Sequence, residues 1–493
     1  MAVYGDYDVD GVTATTLLTI AIQAMGGDIK PYIPNRFEEG YGLNKSALEE
    51  LKDGGMSLVI TVDNGIRSLQ EVAFARQIGL DLIITDHHQP KDEMPDALAV
   101  IDPKQPFDPY PDKNLSGVGL AYKLVEALST KRAGVVLESY LDLVALGTVA
   151  DVVPLTGENR YLVRRGLEHL RTPNRQGVLS LMGVAGLIDE RSLRPKRIST
   201  MHIGYMLAPR INAAGRLESA LDALNLLMTD DFMEAGRLAQ QLNLQNKQRQ
   251  ELTKTIQVQA EEIALQDNPH AFLLFAAHPD FNPGIVGLAA SRLVDTHYRP
   301  AAVGFQGDEV TRASCRSIDE FHITRALDEC ADLLVRHGGH AAAAGFTVRN
   351  ENLTELIQRL QAIAERELKG IIDELRPTLH ADMEIQLSTI RPKELLTSMA
   401  LLEPTGESNP EAVFVSRNVQ VKSSRCVGND QRHMKLYLTD KNITYDAIAF
   451  GLGNLQSILP KTVDILYTLG INEYNGTSTI QLEIKDIQPT GII

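Results

Sequence analysis

Ala2-Val3-Tyr4-Gly5-Asp6-Tyr7-Asp8-Val9-Asp10-Gly11 decides how the rest of the chain is read. A short apolar run, Ala2–Tyr4, hands over to three carboxylates spaced two apart, Asp6, Asp8 and Asp10. If the chain stays extended there, alternation turns all three to one side. Like charges crowded in this way repel, and the arrangement costs stability unless a cation compensates. An isolated Asp-x-Asp reads equally well as a solvated acidic turn.

The triplet is not isolated. Leu58–Val62 runs into Asp63-Asn64-Gly65, Leu82–Thr85 into Asp86-His87-His88, and the apolar stretch Leu143–Ala150 ends in Asp151. Between the first two runs, Val12–Met25 is long enough for a helix and Gly26-Gly27 stops it. Ser68 reads as the N-cap of a helix through Gln77 that Gly79 ends, and Leu98–Ile101 supplies a further strand. Strand alternating with helix predicts an α/β fold with a mostly parallel sheet covered on both faces. The C-terminal ends of such strands border one crevice, so the carboxylates and imidazoles converge although they are distant in sequence. Each group has a plainer reading: a turn for Asp63-Asn64-Gly65, a capped loop pair for His87 and His88, a helix cap for Asp151. Repetition at strand ends favours a metal site over coincidence. Oxygen ligands mixed with imidazole suit Mn²⁺ or Mg²⁺ better than Zn²⁺. A set this large can hold two ions about 4 Å apart, the usual device for in-line attack on phosphorus.

Further along, residues from about Tyr161 to Leu265 are helical in pattern, and Asp231 to Leu265 reads as one long helix, a strut between domains. A second α/β unit starts near Ala271, with a strand at Phe272–Ala276, a helix at Val286–Val294, a strand at Ala301–Phe305, the Gly-rich stretch Gly338–Gly345 and a helical tail to about Ile372. After Pro377, Ala412–Val415, Lys435–Thr439, Tyr445–Phe450, Val463–Leu469 and Thr479–Ile484 predict a small antiparallel barrel. The 493 residues fit about three domains. With 44% apolar and 23% charged residues the composition is that of a globular protein, and the net charge of −16 excludes a polycation that coats nucleic acid through bulk charge. Cys315, Cys330 and Cys426 are scattered, which excludes a disulfide framework or zinc knuckle. No apolar run has the length of a membrane span and no leader is visible, so a soluble protein of the reducing cytoplasm is expected.

Asp6-Tyr7-Asp8-Val9-Asp10-Gly11, Val62-Asp63-Asn64-Gly65, Asp86-His87-His88 and the run Gly147 to Leu155 resemble the four motifs of the DHH phosphoesterase superfamily. Glu39-Gly40-Tyr41-Gly42-Leu43-Asn44, the run Pro209 to Arg216 and the run Gly338 to Phe346 are similar to its RecJ family of single-strand-specific exonucleases, the last to the signature of the associated DHHA1 domain. The resemblance covers nearly the whole chain. It implies a DHH domain over 1–225, a connecting helix over 226–268, a DHHA1 domain over 269–374 and an OB-like nucleic-acid-binding barrel over 377–493, with the active site in the cleft between DHH and DHHA1 domains. By position, Asp8, Asp10, Asp63, His87 and Asp151 would bind two divalent cations, Mn²⁺ or Mg²⁺, with Asp63 bridging. Asp6 is then a further ligand or a group behind the ligands, and His88 orients its neighbours or contacts phosphate. The implied reaction is 5′-to-3′ hydrolysis of single-stranded DNA to 5′-mononucleotides in repair and recombination, by a monomer, with a single-strand-binding protein and a helicase as candidate partners.

Substrate selection must come from other residues. Arg210 and Arg216 flank a polar turn, Asn212 to Gly215, and Arg is a bidentate clamp for phosphate, although a helix-capping ion pair is the plainer reading. Ser314-Cys315-Arg316-Ser317 is similar to a phosphate-contacting stretch of the family. His340 follows Gly338 and Gly339, which let backbone approach a ligand, and its motif places it beside the reacting phosphate. With Asp63 and His88, His340 completes the candidate catalytic groups. In the barrel, Lys422, Arg425, Arg432, His433 and Lys435, with Tyr437 and Tyr445, fit single-strand binding as well as a solvated loop. Two features depart from the family. The first strand begins at Met1 where relatives carry a preceding segment, which predicts a truncated product or a short first strand. Asn282 stands where the family tends to have His, with His278 out of register. The rival readings are a DHH phosphatase or oligoribonuclease acting on short substrates, and an inactive scaffold that binds DNA or a replication partner.

Overall fold

Strand β1 (Ala2–Tyr4) is buried at every side chain because both faces of its sheet are covered. It belongs to a computed structural model that describes residues 1–35, 39–40, 42–189, 191–266, 268–428, 430–474 and 477–491. Tyr41 of the Glu39–Asn44 motif lies outside the described residues. Helix α1 (Val9–Ala24), β2 (Lys30–Tyr32), α2 (Lys45–Asp53), β3 (Leu58–Thr61), α3 (Leu69–Gln77), β4 (Asp81–Thr85) and β5 (Ala99–Ile101) follow β1. The five strands form one parallel sheet in the order β2-β1-β3-β4-β5. That is the α/β arrangement the strand–helix alternation predicts. Helix α1 is buried almost all round, and Leu17 and Leu18 are each fully buried, contributing roughly 1.5–3 kcal/mol apiece. Its buried threonines return their hydroxyl protons to its own backbone: Thr13 to Val9 O at 2.7 Å, Thr15 to Gly11 O at 2.7 Å and Thr16 to Val12 O at 2.8 Å.

Helices α4 (Gly117–Ser129) and α5 (Leu141–Ala150) pack on α1. The apolar stretch Leu143–Ala150 therefore lies in a helix and is not a fourth strand. A mostly apolar stretch that packs on a buried helix has the same composition as a buried strand, and only its partners decide between them. The helical region continues through α6 (Gly157–Arg171), α7 (Gln176–Val184), the short α8 (Thr200–His202), α9 (Ala208–Leu217) and α10 (Leu221–Met228) to the long α11 (Phe232–Gln266). Arg210 to Arg216 therefore lies inside a helix rather than at a turn. The predicted long helix is present as a single element of 35 residues.

The second sheet has the order β6-β7-β8-β10-β9, built from β6 (Leu274–His278), β7 (Ala301–Gln306), β8 (Val310–Arg316), β9 (Leu334–Gly339) and β10 (Ala343–Arg349). Helices α12 (Val286–His297), α13 (Ile323–Asp328) and α14 (Leu353–Leu368) accompany it. By contacts the chain divides into two compact units, residues 1–153 with 165–377, and 154–164 with 378–493. In the second unit, Leu155 N donates to Glu407 O at 2.8 Å and the Arg160 guanidinium to Leu401 O at 2.9 Å.

That unit holds β11 (Met383–Glu384), α15 (Pro392–Met399), β12 (Phe414–Val427), β13 (His433–Asp440), β14 (Ile443–Ala449), β15 (Thr462–Tyr474) and β16 (Thr477–Pro489). Pairing of β15 back onto β12 closes a five-stranded barrel. Two pairings depart from the expected antiparallel pattern: the short β11 runs parallel to β12, and within the barrel β14 and β16 run parallel, because β15 intervenes between them in sequence. Among the described residues, no helix is long and apolar enough to cross a membrane.

Candidate metal centre

The carboxylates come together at the C-terminal ends of β1, β3 and β4, but not by extended alternation. The chain is extended only as far as Asp8, which caps α1 by accepting a hydrogen bond from Gly11 N at 3.0 Å. Asp10 lies in the first turn of α1. It is held by another helix start: Gly117 N and Val118 N of α4 donate to its two oxygens at 2.6 and 2.8 Å. Asp63 follows β3 and adopts a left-handed backbone, φ 63°, which Asp tolerates better than most residues. Asp151 terminates α5, where a carboxylate opposes the helix dipole. The helix-cap reading of Asp151 is thus correct for its backbone, and its side chain still enters the cluster. The next residue, Val152, is also left-handed at φ 59°, a strained state for a β-branched side chain and one that recurs at functional sites.

His87 joins these groups. Its Nε2 lies 3.0 Å from Asp63 Oδ1, 3.5 Å from Asp151 Oδ2 and 3.8 Å from Asp10 Oδ2. Ligand atoms of Asp10, His87 and Asp151, of Asp63, His87 and His88, and of Asp6, Asp8 and Asp63 lie within 4.8 Å of one another in three overlapping groups. All six residues assigned to metal from the sequence are therefore in one place. Asp86 is different. It accepts from Ile66 N at 3.0 Å, His87 N at 2.7 Å, His88 N at 3.1 Å and His88 Nδ1 at 2.8 Å, so its lone pairs are used in shaping the loop. His88 is oriented by that bond, which turns its Nε2 to the opposite side of the ring.

Crowding and burial shift the ionisation of the cluster. Burial and the charge of Asp8 push Asp10 up to about 7, against the hydrogen bonds of Val118 and Gly117. Burial, then Asp10 and Asp8, push Asp151 up to about 9. Asp63 rises well above the usual carboxylate range for the same reasons. Burial, with His88 beside it, pulls His87 down to about 3, so its imidazole is neutral and able to ligate. Burial also pulls on His88, but its hydrogen bond to Asp86 and the charges of Asp86 and Asp8 outweigh it and raise its pKa. Repelling carboxylates around a neutral imidazole fit a hard divalent cation.

A pH dependence follows. A carboxyl whose folded pKa is raised stabilises the fold below its unfolded value, and that stability is lost as pH rises through the folded one. His87 works in the opposite sense, but its contribution is complete above about pH 6.5. From about pH 6.5 to about 9, Asp10 and Asp151, with the raised Asp63 and His88 acting in the same sense, set the slope, and the metal-free protein loses stability as pH rises. Calorimetric melting with chelator should show this fall, and saturating Mg²⁺ should remove it. A flat metal-free profile would contradict the charge crowding.

The substrate-side residues divide. Arg216 Nη1 donates to Gly284 O at 3.2 Å, joining α9 to the loop before α12. Gly215 lies against Tyr7, where an added Cβ would stand 2.7 Å from its carbonyl oxygen. Beyond Gly284, the Arg316 guanidinium and Ser314 line Gly287 at the start of α12. A continuous path of contacts thus runs from the acidic loop to Ser314 and Arg316. Asn212 is committed elsewhere, its Oδ1 accepting from Val9 N at 3.2 Å, so it anchors α1. Arg210 bonds Asn243 Oδ1 at 3.1 Å and the carbonyl of Met206. Gly338 and Gly339 end β9, and His340 is on the exposed turn to β10, bonded through its backbone to Ala343 and Thr324. Those contacts do not join it to the carboxylates. Asn282, in the position where His was expected, caps a local turn by accepting from Gly284 N at 2.8 Å.

In the barrel, Arg432 pairs with Asp430 and Lys435 with Asp446, each at 2.7 Å, while Lys422 and Arg425 are exposed. Tyr437 is 46% exposed beside Lys435, and His433 meets the exposed ring of Phe450 edge-on with centroids 5.3 Å apart. Tyr445 is 7% exposed and belongs to the barrel core, which corrects its reading as a surface stacking residue. Strand alternation explains it: Tyr445, Ala447 and Ala449 share the inner face of β14. The sequence reading missed Gly117 and Val118, although Ser116 and the glycines after it signal a helix start.

Family profiles match three parts of the chain: the DHH family N-terminal domain over residues 1–148, the DHHA1 domain over 270–366 and the RecJ OB domain over 381–486. The single-stranded-DNA-specific exonuclease RecJ of Bacillus subtilis (strain 168) is 39% identical over 489 residues, covering 98% of this chain and 60% of that protein. The chain thus spans under two thirds of that relative's length. The enzyme of the same name from Salmonella typhimurium is 34% identical over 519 residues, with 99% and 87% covered. Among solved structures, RecJ in complex with Mn²⁺ from Thermus thermophilus superposes with a TM-score of 0.83 at 30% identity, covering 100% of this chain and 69% of that one.

Proposed function

Because the chain belongs to the RecJ family of single-stranded-DNA-specific exonucleases, we propose that it hydrolyses single-stranded DNA from the 5′ end to 5′-mononucleotides. The observation that carries this reading is the gathering of Asp8, Asp10, Asp63, His87 and Asp151 around one point at the sheet edge. These five would hold the divalent cations, Mn²⁺ or Mg²⁺, with Asp63 central among them and Asp6 behind. Divalent cations held there supply, when bound, an acidified water and positive charge against the phosphate oxygens.

The protein's own groups do the positioning. The α4 amides fix both oxygens of Asp10, and neutral His87 presents Nε2 to the carboxylates. His88, aligned by Asp86, turns its other nitrogen outward as a proton donor to the phosphate. Arg216, Ser314 and Arg316 hold phosphates along the strand, and Arg210 and His340 are further phosphate contacts of this proposal. The barrel takes the strand through Lys422, Arg425 and the ring faces of Tyr437 and Phe450. The activity serves repair and recombination in the cytoplasm, as a monomer supplied with single strands by a helicase and a single-strand-binding protein.

The test uses oligonucleotides labelled at either end, single-stranded and duplex, with Mn²⁺ or with chelator. Mononucleotides should be released from the 5′ label first, from single strands only, and only with metal. Release that begins at the 3′ end, or that persists in chelator, would overturn the reading.

A further inference from the structure

We propose that Lys104 is a substrate contact of this centre, its ammonium taking an oxygen of the DNA phosphate. The proposal rests on the nuclease reading and extends it to a residue outside every motif discussed above. Strand β5 ends at Ile101, whose carbonyl accepts from Asp86 N at 3.1 Å. Asp102-Pro103-Lys104 therefore leaves the sheet beside Asp86-His87-His88, at the edge where the carboxylates gather.

The turn is built rather than loose. Asp102 is 1% exposed, and its Oδ1 accepts from Lys104 N at 2.7 Å. Gln105 Nε2 closes the other side, donating to Val100 O and Asp102 O at 3.1 Å each. Asp102 Oδ2 is buried with no hydrogen-bond partner, an unusual state for a carboxylate oxygen. Such a turn fixes the direction in which residue 104 departs.

Lys104 itself is half-buried, and among the described residues its ammonium makes no hydrogen bond or ion pair. That is notable beside so many carboxylates, which would normally recruit a neighbouring lysine. A cation held at this edge without a carboxylate partner among the described residues is placed for an anion that arrives later. Lysine binds phosphate as a compact point charge, without the fixed fork of arginine.

Two plainer roles compete, a solvated lysine and a neutraliser of the metal ligands. Steady-state hydrolysis of a single-stranded oligonucleotide by wild type, Lys104→Met and Lys104→Arg separates them, with Mn²⁺-induced thermal stabilisation measured on the same samples. Removing one donor to developing charge typically costs roughly a hundredfold, so kcat/KM should fall by about that factor in Lys104→Met. Lys104→Arg should recover at least about tenfold of this, because the charge is kept. The manganese shift should be unchanged in both. In a hydrolysis-deficient Asp63→Asn background, adding Lys104→Met should reduce the salt slope of single-strand binding by about 0.7, the loss of one phosphate contact. Wild-type kcat/KM in Lys104→Met would overturn the proposal, as would a loss of activity that tracks a lost manganese shift. An inactive wild type would instead sink the nuclease reading, and this proposal with it.

Discussion

Asp63→Asn is expected to lower single-strand hydrolysis at least about a thousandfold, since electrostatic stabilisation by a bound cation is worth several kcal/mol and each ~1.4 kcal/mol is tenfold. The same substitution should raise the melting temperature of the metal-free protein. Asp63 is buried and repelled by Asp10, Asp8, Asp6 and Asp151, so neutralising it relieves the crowding. Asn is chosen over Ala because the backbone there is left-handed at φ 63°, a conformation that Asn accepts with little strain. Binding of single strands should persist, because the proposed phosphate and base contacts lie on other residues. The stabilising effect of Mn²⁺ should largely vanish. Activity and stability thus move in opposite directions, the pattern of a site that is costly to the fold until a ligand arrives. A variant that melts lower and still hydrolyses DNA would show that Asp63 serves the fold and not the reaction.

Gly117→Ala should be nearly as damaging, through a residue with no side chain to donate. An added Cβ would stand 2.7 Å from Asp63 Cβ and 3.0 Å from Asp10 Oδ2. Real Cβ atoms do not approach so closely, so either α4 retreats or the two carboxylates move. Either way the amide of residue 117, now 2.6 Å from Asp10 Oδ2, loses its geometry. Displacements near 1 Å in a reacting site cost on the order of a hundredfold, which is the expected fall in kcat/KM. Metal affinity should fall with it. Gly183→Ala in α7 is the control, because nothing lies within 4 Å of its added Cβ. It should keep full activity and gain about 0.5–1 kcal/mol of stability. Full activity in Gly117→Ala would mean that the α4 amides are not part of the centre.

The parts of this site that were readable in the sequence are those that sit at strand ends. Asp63 and His87 follow apolar runs of strand length, and a parallel sheet brings such ends together whatever the intervening helices do. Asp8 and Asp10 reach the same place by another route, one as a helix cap and one in a first turn, which alternating carboxylates alone do not distinguish from an extended strand. Asp151 was found for its motif and its apolar approach, yet its segment is a helix, since a mostly apolar run carries no clear period when nearly all of it is buried. Asn212 and Arg210 were legible as polar residues in a motif. Their partners Val9 and Asn243 lie 203 and 33 residues away, a distance over which local pattern says nothing. Tyr445 was misread because inward and outward positions in the barrel depend on register, and register is set by pairing with β13 and β16. Lys104 was missed because Asp-Pro-Lys reads as an ordinary turn until β5 is placed beside β4.

The claim on which all of this depends is that the carboxylates of Asp8, Asp10, Asp63 and Asp151 and the imidazole of His87 share divalent cations. Anomalous diffraction from manganese-soaked crystals of the active protein tests it most directly. Strong manganese peaks in contact with these five side chains, absent in Asp63→Asn, are the predicted result. Manganese bound at other residues while this cluster stays without a peak would contradict the account.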